Sequence, residues 1–261
     1  MSRYTSVTDE DLQAMLAAIG AASLDDLFAD VPEGLRLDRP LDLPPGRSEQ
    51  EVFDELSALA ARNRHADAET SFLGAGMYDH YVPSLVDALI GRSEFLTPYT
   101  PYQPEISQGG LQVMFEFQTA ISELTGLPVA NASVYEGPSA VAAAGYMAKL
   151  ETRRTRLVTS RALHPQSRAA LRTHAAGYGM EVVEVPLTED GATDLEALAA
   201  AVDDDTAAVF VQQPNFLGTV EDLGALGEAA KATGALYVVA ADPLPLGVLR
   251  PPGELGADIC V

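Results

Sequence analysis

Three short segments hold residue types that do chemistry when they follow a strand. In Tyr135-Glu136-Gly137-Pro138-Ser139-Ala140 a glycine, a proline and a small hydroxyl residue open a helix. Backbone N–H groups at such a start, with the helix dipole behind them, attract an anion such as a phosphate. The same residues also make an ordinary capped helix start. Arg161-Ala162-Leu163-His164-Pro165 sets an imidazole just after an apolar run. There it can stack on a flat heteroaromatic ring, or be a polar loop residue near a helix start. Asp242 follows the apolar run 235–241. A carboxylate at that place can pair with a protonated pyridine nitrogen and keep the ring electron-poor, or cap the turn before Pro243.

In chain order these are a small-residue helix start, a histidine and an aspartate. That succession is expected of a fold-type I pyridoxal-phosphate domain, with Glu136, Gly137, Ser139, His164 and Asp242 as cofactor-binding candidates. Schiff-base chemistry also needs an amine on a strand-end loop. Lys149 and Lys231, the two lysines of the chain, both fall within helical patterns. Other chemistries find less support. Cys260 is the single cysteine, and His65, His80, His164 and His174 have no HExxH or similar ligand spacing, so a structural metal is not expected. Gly74-Ala75-Gly76 lacks the third glycine of a dinucleotide fingerprint, and neither GxSxG nor a Walker A sequence occurs.

A second group of candidates lies in 71–110, which contains SFLGAGMYDHYVP and TPYTPYQPEISQGG. Prolines 98, 101 and 104 cannot sit inside a helix. Phe72, Tyr78, Tyr81, Phe95, Tyr99 and Tyr102 are too many aromatics for a solvated linker. Packed loops that carry function are expected here.

The elements that must position these residues read clearly from 107 onward. SQGGLQVMFEFQTAISELTG is an amphipathic helix, and LPVANAS is read as a strand. Helices near 138–151, 165–176, 194–202 and 223–233 then alternate with strands in RLVTS, EVVEVPL, AAVFVQQP, ALYVVAADP and, at the end, ADICV. Short apolar strands alternating with helices give an α/β fold: a mostly parallel, doubly wound sheet with helices on both faces. Ligands of such sheets sit beyond the carboxyl ends of the strands. Before this, residues 1–64 read as a helical arm and linker. Thr8 caps a helix to Ile19, Ser23 caps 24–28, prolines and glycines break 32–46, and a helix runs from about 48 to 62. Residues 65–261 make the large domain, which is expected to continue past Val261.

Composition narrows the partners. The 261 residues are 47% hydrophobic, enough for a sizeable core. No apolar run approaches the roughly 20 residues of a membrane span, and MSRYTSVTDEDL is no signal pattern. A cytoplasmic protein is expected. Asp and Glu total 38 against 16 Lys and Arg, a net charge of -22, which disfavours nucleic acid. Strong acidity with lysine almost absent points to a salt-adapted protein from a high-salt cytoplasm; an ordinary acidic protein is the alternative.

The segments YTPYQPEISQG, FLGAGMYDHYVP, LTGLPVANASVYEG and LHPQSR together resemble the P-proteins of the glycine cleavage system, the decarboxylating glycine dehydrogenases. The likeness covers essentially the whole chain and is to the N-terminal half, subunit 1 of the two-subunit forms. It implies decarboxylation of glycine on pyridoxal phosphate, with aminomethyl transfer to the lipoyl arm of the H-protein, in a heterotetramer. It places the Schiff-base lysine, and most of the hold on the cofactor, on subunit 2. It suggests that Tyr99, Tyr102, Glu105 and Gln108 reach the partner's active site, while Glu136, Gly137, Ser139, His164 and Asp242 are echoes of a cofactor site. Gly110 stands where the family often has arginine. Two other readings remain: a structural subunit that shapes the partner and docks the H-protein, and a self-sufficient lyase or aminotransferase whose lysine lies beyond Val261.

Overall fold

Thr8 and Ser48 start the two helices of the N-terminal stretch, each by a reciprocal capping box. Thr8 Oγ1 accepts from Asp11 N–H at 3.2 Å, and the Asp11 carboxylate accepts from Thr8 N–H at 3.0 Å. This opens α1 (Asp9–Ile19), which ends on Gly20 in the left-handed region. Ser48 and Glu51 do the same for α2 (Glu49–Ala60). These boxes hold the Asp11 and Glu51 carboxyls below the usual carboxylate range, because the charged form accepts hydrogen bonds from Thr8 and Ser48. The stretch that Ser23 was expected to cap is a single 3-10 turn, Asp25–Phe28, since the chain bends again at Pro32. The computed structural model describes residues 6–37, 39–74, 76, 78–96 and 100–261. It divides into two units, residues 1–70 and 71–261.

The second unit begins with two short helices inside the proline-rich stretch, α3 (Ser84–Ile90) and α4 (Ser93–Leu96), then α5 (Gln108–Thr125). The expected strand at 127–133 does not form. Pro128 has no N–H to give a ladder, and the Ala130 carbonyl accepts from the Gln118 side chain at 2.6 Å. The segment is an irregular connection into α6 (Gly137–Thr152).

From there the alternation expected of the sequence is observed. It runs β1 (Arg156–Ser160), α7 (Pro165–Gly177), β2 (Glu181–Val185), α8 (Leu195–Ala201), β3 (Thr206–Gln213), α9 (Leu223–Lys231), β4 (Leu236–Ala241) and β5 (Ile259–Cys260). The five strands are parallel in the order β2-β1-β3-β4-β5. The order reverses between β1 and β3, which opens a crevice at their carboxyl ends.

Alternating side chains supply two cores. Phe210, Leu157 and Val238 pack with α6 and α7 through Val141, Ala144 and Leu171. Val158, Val209, Val211 and Tyr237 face the other way, against Leu198 of α8 and Leu223 and Leu226 of α9. Each fully buried side chain of this kind stabilises the fold by roughly 1.5–3 kcal/mol.

Two details of this packing can be tested. A 3-10 turn, Pro252–Leu255, lies against the end of α5 so closely that a Cβ on Gly253 would sit 2.9 Å from the Thr125 carbonyl oxygen. Backbone cannot yield there, so Gly253→Ala is expected to lower unfolding free energy by about 2 kcal/mol or more in urea titration. Tyr237 is fully buried and its hydroxyl makes no hydrogen bond among the described residues. Burial, and then the Glu221 and Asp222 carboxylates, push its ionisation up. Tyr237→Phe removes that unpartnered group, so the urea midpoint should hold or rise, by up to about 1 kcal/mol.

Candidate functional site

Beyond the carboxyl ends of β1, β3 and β4 lies a cavity of about 340 Å3. Gly137 and Pro138 at the start of α6, His164 after β1, Gln212 at the end of β3 and Asp242 after β4 all line it. The fold therefore brings together residues from the three loops that the sequence singles out, although up to 105 residues separate Gly137 from Asp242 in the chain.

His164 is held by two contacts. Its backbone N–H donates to Gln212 Oε1 at 2.8 Å, and its Nδ1 accepts from Gln166 N–H at 3.2 Å, capping α7. The ring meets Phe216 edge to face, with centroids 5.0 Å apart. Gly76 packs on the same ring: a Cβ there would lie 3.2 Å from His164 Cδ2, and its φ of +77° is one that L side chains rarely adopt. Phe216 and Gly76 thus both take up room beside the imidazole.

The other cofactor candidates fit pyridoxal phosphate poorly. Asp242 Oδ1 accepts from Leu244 N–H at 3.0 Å, so one carboxylate oxygen serves its own turn. Glu136 and Ser139 bond to each other, Ser139 Oγ donating to Glu136 Oε1 at 3.0 Å. That sets a carboxylate at the helix start where a phosphate would need to sit. Among the described residues, neither of these two lines the cavity, and no lysine or arginine does. Lys149 donates to the Tyr178 carbonyl, and Lys231 pairs with Asp258 at 2.8 Å. The residues present do not make a complete site for the phosphorylated cofactor.

The sequence reading missed a buried carboxylate in the loop that follows β3. Glu221 is 5% exposed, yet no cation pairs with it among the described residues. Its carboxylate accepts from Thr193 N–H at 3.0 Å, Thr193 Oγ1 at 2.8 Å and Asn215 Nδ2 at 2.8 Å. Asn215 Oδ1 in turn accepts from Leu217 and Thr219 N–H at 2.9 and 3.1 Å. The 214–221 loop, and with it Phe216, is fixed by these bonds. Asn215 and Glu221 flank a Gly-Thr turn in QQPNFLGTVED. Polar residues between two apolar runs were the available signal, but they also describe any loop.

The tyrosine segment is arranged differently. Tyr99 lies outside the described residues. Tyr102 is 87% exposed, and Phe72 and Tyr81 are similarly bare, so these three rings lack the expected packing among the described residues. Glu105 and Gln108 border an open, mostly apolar cleft with Pro104, Leu111 and Phe115, about 540 Å3 in volume. Among the described residues, no group of histidine, cysteine or carboxylate side chains is placed to hold a metal, and no helix is long and apolar enough to cross a membrane.

A family model described as the glycine cleavage system P-protein matches residues 2–261. The chain is 51% identical over 259 residues to a probable glycine dehydrogenase (decarboxylating) subunit 1 of Lysinibacillus sphaericus, covering 99% of this chain and 58% of that protein. It is 52% identical over 261 residues to the corresponding protein of Geobacillus kaustophilus, covering 100% and 58%. The structure of a glycine decarboxylase (P-protein) of the glycine cleavage system, in inhibitor-bound form, superimposes with a TM-score of 0.85 at 49% identity, over 99% of this chain and 57% of that one. A sphingosine-1-phosphate lyase of Burkholderia pseudomallei shares the fold, with a TM-score of 0.57 at 18% identity over 80% and 51%. The chain spans about 58% of the length of the curated relatives it matches.

Two measurements check this geometry. Glu221→Ala would leave three buried donors without an acceptor, so stability should fall by about 3 kcal/mol or more in thermal or urea unfolding. Next to the cavity, burial pushes the Cys260 thiol up to about 11. Little thiolate then exists at neutral pH, so labelling by a thiol-specific disulfide reagent should be slow at pH 7 and rise about tenfold per pH unit up to that value.

Proposed function

This chain belongs to the glycine cleavage system P-protein family, and from that premise we propose that it acts as subunit 1 of a decarboxylating glycine dehydrogenase. In this reading the enzyme decarboxylates glycine and passes the aminomethyl group to the lipoyl group of an H-protein. Pyridoxal phosphate and the lysine that binds it belong mainly to a partner, glycine dehydrogenase subunit 2. The placement of both lysines supports this: each is on a helix and engaged, and neither sits at a strand end. The poor fit of the strand-end cavity to a phosphate supports it too. Glu136, Gly137, Ser139, His164 and Asp242 are then echoes of a cofactor site rather than a working one.

The observation that carries the proposal is the exposure of the TPYQPE segment, residues 100–105. Tyr102 is exposed, and among the described residues no hydrogen bond holds the side chains of Glu105 and Gln108, which stand at an open apolar cleft. A tyrosine, a carboxylate and an amide presented together can enclose and orient a small zwitterion in a neighbouring site, and can exclude water from it. Tyr99 is proposed to act with them. The aromatics are bare here because their packing partner is another surface.

A net charge of -22 argues against nucleic acid as a partner, and we read it as adaptation to a salt-rich cytoplasm. The purely structural reading, in which this subunit shapes its partner and docks the H-protein, is favoured by the same apolar exposure along α5. The two part on one experiment. In the full-length chain copurified with subunit 2, Tyr102→Phe and Glu105→Gln should each reduce glycine-dependent turnover by about tenfold or more, while the two chains still elute together. Unchanged turnover in an intact complex would leave only the docking role.

A further inference from the structure

Three segments are joined by a closed circuit of hydrogen bonds at the ends of the first three strands. Ala162 N–H donates to Ser160 Oγ at 3.0 Å, and Ser160 Oγ lies 2.7 Å from Thr193 Oγ1. Thr193 Oγ1 donates to Glu221 Oε1 at 2.8 Å, and Asn215 Nδ2 donates to the same oxygen at 2.8 Å. The residue after Asn215 completes the circuit, because Phe216 N–H donates to the Ala162 carbonyl at 2.8 Å. The path thus runs through 160–162, 193 and 215–221, which lie at or after the ends of β1, β2 and β3. A cross-link reinforces it, since Asn215 Nδ2 also donates to the Gly191 carbonyl at 2.8 Å.

The direction of donation in this circuit is fixed. A hydroxyl has one proton to give. Thr193 gives its proton to Glu221, so Ser160 must give its own to Thr193 while a lone pair receives Ala162 N–H. A carboxylate only accepts, so the donations along this path end on Glu221. Ser160, Thr193, Asn215 and Glu221 are each 5% exposed or less, enclosed by the described residues themselves. Water cannot take the place of a lost partner there unless the segments part.

We infer that the circuit is a single latch: 161–164, 190–193 and 214–221 open together or not at all, with the charge of Glu221 as the lock. A charged acceptor roughly doubles the strength of a hydrogen bond, and a chain of such bonds loses more than one bond when a link is cut. Folds open locally in contiguous cooperative units of this kind. His164 belongs to the first segment and Phe216 to the third, with their rings 5.0 Å apart. Opening of the latch parts that pair in one step. Independent loops would instead release 214–221 and leave 161–164 in place. The latch stands whether or not the tyrosine segment has a catalytic role.

The test is native-state amide hydrogen exchange on the full-length protein as purified, followed peptide by peptide. Glu221→Gln keeps the shape of the side chain and removes its charge. It should speed exchange by about tenfold or more in 214–221, and equally in 161–164, which has no bond to Glu221 among the described residues. Thr193→Val and Ser160→Ala cut the circuit at its middle, and each should speed exchange in all three segments by roughly three- to tenfold. Coupling of this kind is reciprocal, so Ser160→Ala must reach 214–221 as Glu221→Gln reaches 161–164. Peptides of the sheet core, 207–211 and 236–240, should keep their rates. If Glu221→Gln does not fold, the other two variants decide. Faster exchange confined to the segment that carries the substitution, or an equal rise in the core peptides, overturns the proposal.

Discussion

The carboxylate of Glu221 is buried beside the sheet's carboxyl ends, held by neutral donors alone. It is a constraint on much that surrounds it. In a low-dielectric interior such a charge persists only while its hydrogen bonds are complete. Thr193, which also bonds Ser160 at the end of β1 at 2.7 Å, must stay in place. So must Asn215, whose amide oxygen closes the 214–219 turn. Gln213 joins from β3, its Oε1 accepting from Glu221 N–H at 2.8 Å. One anion thus couples the ends of two central strands to the loop that presents Phe216 to His164. Replacing any member unbalances the rest, which is why a polar cluster here fixes the 214–221 loop more firmly than apolar packing would.

From α6 to β5 the fold was legible because one physical signal governs each element. Strands buried on both faces read as apolar runs, such as 207–211 and 237–241, and the helices between them show a 3.6-residue period with recognisable starts at Pro138, Pro165, Asp194 and Asp222. Parallel pairing then follows from connection length, and the meeting of His164, Gly137 and Asp242 follows from parallel pairing. The misreadings have equally local causes. Residues 127–133 carry apolar residues without a neighbour to pair with, and sequence alone does not reveal the absence of a neighbour. The helices α3 and α4 are too short to show a period. Glu221 escapes a sequence reading because burial of a charge is decided by donors that arrive from residue 193, 28 positions away.

The aromatic segments pose the opposite problem. Their composition was expected to mean packing, and the rings are exposed instead. Both facts have one source. Apolar residues are retained where they lose water contact in the working state, and a surface completed by another chain or another part of a longer one leaves no trace of that burial in the residues themselves. The proposed function gives these loops a partner; their chemistry by itself names none.

Charge sharpens that conclusion. With 38 acidic and 16 basic residues, long-range attraction would favour cationic partners and repel another acidic surface. Yet several arginines are already paired within the chain, as Arg168 and Arg172 are with Glu184. Little cationic surface remains to steer an acidic partner. In the proposed function, association through exposed side chains such as Phe72, Tyr81, Tyr102 and Phe115 rests on burial of apolar area, at roughly 25 cal/mol per Å2, with salt screening repulsion rather than weakening attraction. An acidic protein of this kind gains association strength as ionic strength rises, and the same screening relaxes the mutual repulsion of carboxylates on its folded surface. Exposed tyrosines and a large negative charge are thus compatible features of a single design, in which contact is apolar and solubility before contact is electrostatic.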